Sequence, residues 1–511
     1  MKYILRPRQE EAVDKMVKFV NSKTTKKGIF VYFTSFGKSL VIANVASKFP
    51  EKYFINVTTS KELLKQNYDK FISYGADAHL CSASLGSKDV GKITFATIGT
   101  LVKQIEFFKD KDVVILVDEC DKGSKKGSQL DKFVKDIKNC KLIGTTATPL
   151  RLKQGMSGTE LKMMNRDRDC IYSSIEDVVQ IQEGVAQGYW SPLIYDVKDI
   201  DESDLVLNGS GTEYTDDSLK KFSETNDITK RCVEIIKALV KERRKSILLF
   251  VPFISDAQKI EKLYNKCKAV YSGMDSKDRD QTINNFLNLE LKCVVQCTIL
   301  GTGFDHPQLD AIVFARPTNS ITIWYQGLGR GVRTHKLKKD CKIVDISGNF
   351  HKFGRIEDIN YEEHKAYGGW AAFSGDRLLT NYPLGNKNVP TKKSLLRYFE
   401  KTTNSSGDDV VINFGKYKGK SIKELVKDNQ GKNYLAWLIK PETKFNFFGN
   451  EGKKIKEAIY EHLKLTPTPP PQPKEDQVIK DYQPSSFKTH KEVIDHYINS
   501  KATLKDLNGI F

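Results

Sequence analysis

FVYFTSFGKS, residues 30–39, decides how the rest of the chain is read. It begins as an apolar run of β-formers and stops at Gly37-Lys38-Ser39. A buried strand ending on Gly-Lys-Ser is the end of a phosphate-binding loop. There, backbone N–H groups at a helix N-terminus cradle an anion, the lysine reaches the β- and γ-phosphates, and the hydroxyl coordinates Mg²⁺. Ser35, Gly37, Lys38 and Ser39 are therefore the first candidates for ATP, with Ser39 a metal ligand. The full pattern, G-x-x-x-x-G-K-[ST], asks for glycine at position 32, and this chain has Tyr32. A tripeptide of this kind also arises by chance in a lysine-rich chain, so its weight rests on its surroundings.

Working outward, two stretches alternate short apolar strands with amphipathic helices, which predicts an α/β fold built on parallel sheets. The first places strands at 29–34, 53–58, 93–96, 113–117 and 141–145; the second places them at 246–251, 268–271, 292–297, 311–314 and 342–346. The expected division is 1–154, a first α/β domain; 155–225, a less regular connector or insertion with a polar, acidic stretch at 199–217; and 226–375, a second α/β domain. A linker follows over 376–409, then a small basic and aromatic module over 410–464. TPTPPPQP at 466–473 marks a polyproline spacer within 465–474, and 475–511 reads as a helical tail that docks a protein partner or folds back.

The totals agree with a polyanionic partner. The 511 residues carry 82 Lys and Arg against 64 Asp and Glu, a net charge of +18, which points first to nucleic acid. Nine cysteines contain no C-x-x-C, and Cys293 and Cys297 lie inside the apolar run LKCVVQCTIL, a buried strand and not a metal site. Without a signal peptide or an apolar stretch of about 18 residues, the expectation is a cytoplasmic protein with no membrane partner.

The chemistry-bearing residues follow the loop in order. VVILV, 113–117, runs into Asp118-Glu119-Cys120-Asp121. Acidic residues at the C-terminal end of a parallel strand sit where such sheets bind ligands; one can hold Mg²⁺, and the next can orient or deprotonate water. LIGTTATP, 142–149, offers the hydroxyls of Thr145, Thr146 and Thr148. TILGTGFDHP, 298–307, has glycines at 301 and 303 that allow close backbone approach, and Asp305 to bond a ribose or an arginine. In YQGLGRGVR, 325–333, Arg330 and Arg333 are three apart, so on a helix both face one way. Two guanidiniums suit the charge that spreads over a γ-phosphate in its transition state. LRPRQ, 5–9, supplies Gln9, whose amide can bond both edges of adenine.

Taken together, LRPRQ, GKS, DECD, TATP, TGFD and QGLGRGVR occur in the order and spacing of a superfamily 2 helicase, and the chain resembles that family over about 1–360. The branch it is most similar to is the XPB, type III restriction and phage UvsW-like group. The resemblance implies two tandem RecA-like domains with ATP and Mg²⁺ between them. It implies adenine recognition at Gln9, phosphate binding at Gly37, Lys38 and Ser39, Mg²⁺ at Asp118, and water activation by Glu119. It also implies coupling through Thr146 and Thr148, arginine fingers at Arg330 and Arg333, and Gly303, Asp305 and Gln326 in the cleft. Family strand contacts would fall at Thr58, Thr97 and Thr298. Three places depart from the family: Tyr32 stands where a small residue is usual, Ser35 where glycine is common, and Phe36 is bulkier than usual.

INFGKYKGKSIKELVKDNQGKNYLAWL, 412–438, looks like the small module appended to exonuclease-X-like proteins. Lys416, Lys418 and Lys420 are candidates for phosphate contacts, while Tyr434 and Trp437 are expected in the module's core. The reading favours an ATP-dependent helicase or translocase acting on branched or forked DNA in recombination or repair. An origin in a phage, hence a host cytoplasm, accords with the UvsW-like start. DECD is not the D-E-A-D form common among RNA enzymes, which favours DNA. The alternatives are an RNA helicase, the motor subunit of a restriction complex, and a nucleic-acid-binding protein with a degenerate ATPase.

Overall fold

The computed structural model describes residues 4–58, 60–155, 158–297, 306–384, 389–403, 410–412, 414–440 and 449–464. Two compact units divide at Phe399/Glu400. The helical tail and proline spacer expected beyond 464, and the 298–305 loop carrying Thr298, Gly303 and Asp305, lie outside the described residues.

The first unit is built on two parallel sheets. Strands β1 (Gly28–Tyr32), β2 (Tyr53–Thr58), β3 (His79–Ser82), β4 (Ser87–Lys88), β5 (Ile93–Thr97), β6 (Asp112–Asp118) and β7 (Asn139–Thr146) form one sheet. After a hairpin of β8 (Leu150–Gly155) and β9 (Gly158–Met163), β10 (Ser174–Val179) completes it. The spatial order is β10-β1-β7-β6-β2-β5-β3-β4, parallel throughout except for the β3–β4 pair. The second sheet comprises β11 (Leu193–Val197), β12 (Ile247–Phe250), β13 (Cys267–Tyr271), β14 (Cys293–Cys297), β15 (Ala311–Phe314) and β16 (Cys341–Asp345). Its order, β11-β16-β15-β12-β14-β13, is parallel throughout. The fold is thus α/β with two large parallel sheets.

The central strands form because they are continuous apolar runs covered on both faces. Val113–Val117, Ile247–Phe250 and Ala311–Phe314 are wholly buried. Phe250 and Phe314 stack across β12 and β15, with centroids 4.8 Å apart, and Trp324 packs edge-on against Phe314 at 5.1 Å.

The stretch expected as a connector, 155–225, instead completes both sheets. β10 pairs with β1, and β11 pairs with β16. SIEDVV and LIYDV are interrupted by polar residues and lack the apolar continuity of a central strand. The stretch expected as a linker, 376–409, likewise carries structure. It holds β19 (Arg377–Leu378), the last strand of a small antiparallel sheet with β17 (Ile359–His364) and β18 (Gly369–Ser374), and a helix over Lys392–Thr403. The hairpin is tied to this later segment, with Asn381 N donating to Leu161 O at 2.8 Å and Leu384 N to Thr159 O at 2.9 Å.

The second unit has its own aliphatic core of Ile412, Ile422, Leu425, Leu435, Leu438 and Ile459. Among the described residues no helix is long and apolar enough to cross a membrane.

Candidate nucleotide site

β1 ends at Tyr32, and the chain turns through 33–36 into helix α1 (Lys38–Ser47), capped by Gly37. Gly37 has φ 90°, and a Cβ there would lie 2.5 Å from Gln9 Nε2, so the turn needs glycine on two counts. Ser35 also adopts a positive φ, 72°, where the family pattern uses glycine. Tyr32 is fully buried and packs against Phe36, with ring centroids 4.8 Å apart. It points into the core under the loop, so the missing first glycine leaves the mouth of the loop open.

Lys38 Nζ lies 3.4 Å from Glu119 Oε1. Burial opposes the ammonium charge, but Glu119 and Asp118 more than offset it and hold the Lys38 pKa above its ordinary value. Asp118 ends β6, where its Oδ1 accepts hydrogen bonds from Thr145 Oγ1 at 3.0 Å and Glu119 N at 3.1 Å. Its Oδ2 accepts from Asn67 Nδ2 at 3.0 Å, and Asn67 Oδ1 accepts from Ser39 Oγ at 3.5 Å. Asn67 therefore joins the two expected metal ligands. It comes from helix α2 (Lys61–Ser73), and nothing in the motif spacing singled it out. Glu119 has φ 51°, a left-handed conformation rare outside glycine, just where its carboxylate must leave the strand end.

The second sheet closes the site. Helix α3 (Ile321–Leu328) carries Gln326, whose Nε2 donates to Glu119 Oε2 at 2.9 Å while Oε1 accepts from Lys122 Nζ at 3.2 Å. Tyr325 Oη accepts from Thr34 N at 3.3 Å, and burial pushes this phenol up to about 12. Arg330 and Arg333 do not lie on a helix face. α3 ends at Leu328, in a Gly327-x-Gly329-x-Gly331 stretch that favours turns, and Arg333 bridges Trp190. Both arginines still line the cleft that holds Gly37, Lys38, Asp118 and Glu119, a cavity of about 480 Å³.

Gln9 is 4 % exposed, and its amide is taken up inside the chain. Nε2 donates to Phe36 O at 2.6 Å and Oε1 accepts from Arg6 N at 2.9 Å, so it braces the phosphate loop. Arg6 also donates to Phe36 O and lies 3.9 Å over the Tyr189 ring. Arg6 and Tyr189 both line the cleft and were not anticipated, because their pairing spans 183 residues. Thr146 Oγ1 donates to Asp121 Oδ1 at 2.8 Å and accepts from Thr148 N at 3.0 Å. Thr148 Oγ1 lies 3.3 Å from Thr322 Oγ1 of α3, so this loop touches the other sheet. Burial, with Glu119 next in weight, pushes Asp121 up to about 6.

Comparison with known proteins agrees with this architecture. Residues 2–151 match the family described as Type III restriction enzyme, res subunit, and 230–335 match Helicase conserved C-terminal domain. The segments so matched, the helicase core, hold the motifs that resemble superfamily 2. A Saccharomyces cerevisiae protein named "Putative ATP-dependent helicase IRC3" is 25% identical over 68% of this chain and 52% of its own length. The "51.5 kDa protein" of Lactococcus phage (isolate 7-9) is 23% identical over 65% of this chain and 68% of its own. The helicase core thus matches only about half the length of the yeast relative. Among solved structures, "The fragment structure of a putative HsdR subunit of a type I restriction enzyme from Vibrio vulnificus YJ016" superposes with a TM-score of 0.53 at 19% identity, covering 69% of this chain and 66% of that one. That likeness concerns the fold.

The helicase core leaves the strand-contact candidates less well placed. Thr58 is fully buried, with its hydroxyl donating to Ser60 O at 3.1 Å, so its side chain is closed to a ligand. Thr97 is half-buried and bonds Ser82 Oγ and Thr100 Oγ1, both at 3.3 Å. Outside the helicase core, 412–442 match Exodeoxyribonuclease X-like C-terminal. Lys416, Lys418 and Lys420 are exposed there. Trp437, expected in the core, is 50% exposed, because the interior is filled by aliphatic side chains.

Proposed function

We propose that this chain is a nucleic-acid-stimulated ATPase that uses hydrolysis between its two parallel sheets to move along DNA. The observation that carries this reading is one cleft lined by Lys38, Ser39, Asp118 and Glu119 from the first sheet and by Gln326, Arg330 and Arg333 from the second.

The residues present fit ATP with Mg²⁺. A glycine-led helix N-terminus and Lys38 form an anion cradle. Asp118 and Ser39 are a sparse donor pair, and no three His, Cys, Asp or Glu side chains cluster for a metal among the described residues. That suits Mg²⁺, which takes one or two protein oxygens and fills its octahedron with phosphates and waters. Bound there, Mg-ATP supplies the transferable phosphoryl group. Lys38 would hold the β- and γ-phosphates, Ser39 and Asp118 the metal, and Glu119 the proton of the attacking water. Arg330 and Arg333 would meet charge developing on the equatorial oxygens. Arg6 and Tyr189 flank a place for the base, with Gln9 supporting the loop beneath it. Thr146 and Thr148, joining Asp121 to Thr322, would report the state of the site to the second sheet.

The +18 charge supports a polyanionic track. The name of the yeast relative supports helicase chemistry, and the phage relative accords with a phage-encoded protein. DNA is favoured over RNA by DECD at 118–121. The test is ATP hydrolysis with single-stranded DNA, duplex, fork, four-way junction and RNA. We expect DNA to stimulate turnover, and Lys38→Ala and Glu119→Gln to abolish it. Turnover no higher in the wild type than in those variants overturns the enzyme reading, and preferential stimulation by RNA overturns the choice of DNA.

A further inference from the structure

We propose that the small second unit holds a separate single-stranded nucleic-acid site, in which Trp437, Tyr434 and Tyr417 stack bases and Lys416, Lys418 and Lys420 pair phosphates. The site needs neither ATP nor the cleft of the first unit.

The geometry begins with a tight loop. Ile412 N donates to Lys420 O at 2.9 Å, Gly419 N to Ile412 O at 2.7 Å and Ile422 N to Val410 O at 2.8 Å, which pins both ends. Gly415 and Gly419 turn the loop at φ 66° and 90°. Lysines at every second position are therefore held outward. A Cβ at Gly415 would come within 2.2 Å of Tyr434 Oη, so glycine is what lets Tyr434 lie against the loop.

The rings continue along helix α4 (Asn429–Ile439). Tyr434 and Trp437, three residues apart on one face, lie nearly parallel, at 26° with centroids 6.0 Å apart. Tyr417 meets Tyr434 at 4.9 Å. Tyr434, as expected, and Tyr417 pack against the aliphatic core and are half-buried, while Trp437 lies outside it and is exposed. An exposed indole aligned with a tyrosine, beside Lys416, Lys418 and Lys420, which form no ion pair among the described residues, is the composition of a stacking platform.

Charge identifies the occupant. Residues 410–440 contain seven lysines against Glu424 and Asp428. Asp428 is engaged as a helix cap, accepting from Gly431 N at 2.7 Å. Among the described residues Lys416 and Lys420 rest over the Tyr417 ring at 5.2 and 5.9 Å. An anion whose backbone is charged and whose side groups are flat uses both features. Bases in a duplex already stack on one another, so a single strand is the form that can offer a face to Trp437.

The test uses the full chain without nucleotide, titrated with labelled oligothymidylate, oligouridylate and blunt duplex. Oligothymidylate should quench the fluorescence present in the wild type and absent from Trp437→Phe. Trp437→Ala should weaken single-strand binding about tenfold. The triple change Lys416→Gln, Lys418→Gln and Lys420→Gln should lower the log–log salt slope by about 2. All variants should keep basal ATP hydrolysis and the wild-type circular dichroism. Absence of a Trp437-dependent quench overturns the proposal. So does the same quench with poly-glutamate, which would assign the surface to an acidic polypeptide, or equal quenching by duplex, which would remove the single-strand preference. Failure of nucleic acid to stimulate ATP hydrolysis would sink the motor reading and leave this one standing.

Discussion

Asp121 shows how much a single carboxylate near the cleft carries. Its pKa stands at about 6 against an ordinary 3.8, mainly through burial and then through Glu119. A carboxyl with a raised native pKa holds its proton more tightly folded than unfolded. Its ionisation therefore costs stability that is absent below about pH 4, grows as pH rises, and is complete above about pH 6. Asn at this position can still accept from Thr146 without the charge. We expect Asp121→Asn to raise the unfolding free energy at pH 8 by on the order of 1–3 kcal/mol, with the gain gone near pH 4. Denaturant melts at the two pH values read this directly, and a pH-independent difference would contradict it. Residues of this kind were only partly legible in the sequence. Lys38, Asp118, Glu119, Gln326 and the two arginines stand in motifs, so order along the chain exposes them. Asn67, Arg6 and Tyr189 act through neighbours far away in sequence, and no local pattern encodes that. Trp437 was misplaced because composition does not say whether a small core has enough aliphatic volume without it.

Helix α2 brings the element scale into focus. It leans on the sheet through Leu63, Leu64 and Phe71, and that packing delivers Asn67, 7 % exposed, between Ser39 and Asp118. Replacing it by leucine would leave the buried Asp118 Oδ2 and the half-buried Ser39 Oγ without their shared partner. Losing an outer-shell group of this type costs about 10- to 100-fold in metal affinity. We expect Asn67→Leu to shift the Mg²⁺ concentration needed for half-maximal ATP hydrolysis upward by at least about tenfold, with saturating turnover largely kept. An unchanged Mg²⁺ titration would mean that α2 serves packing alone. Elements were legible in proportion to burial. Central strands such as VVILV and ILLF announce themselves because both faces must be apolar. The edge strands β10 and β11 were lost in the irregular stretch 155–225 because both are interrupted by polar residues, including the buried Asp177 that pairs with Arg8 and Lys15.

At the scale of the whole molecule, the first unit has its own cores, and the candidate nucleotide cleft draws every lining residue from it. We expect a chain ending after Thr403 to keep basal ATP hydrolysis within about twofold of the full chain, because no cleft group is lost. A collapse of basal turnover would show that the second unit supports the first. Within the first unit, the two parallel sheets are fastened to each other at the cleft by Gln326 to Glu119, Lys122 to Gln326, Thr34 to Tyr325, and Thr322 to Thr148. At roughly 1 kcal/mol each, these four contacts favour the closed arrangement by no more than a few kcal/mol. Opening the cleft means breaking these four contacts, two of which share Gln326. A group that draws Glu119 away from Gln326 would therefore loosen the two sheets at the same stroke.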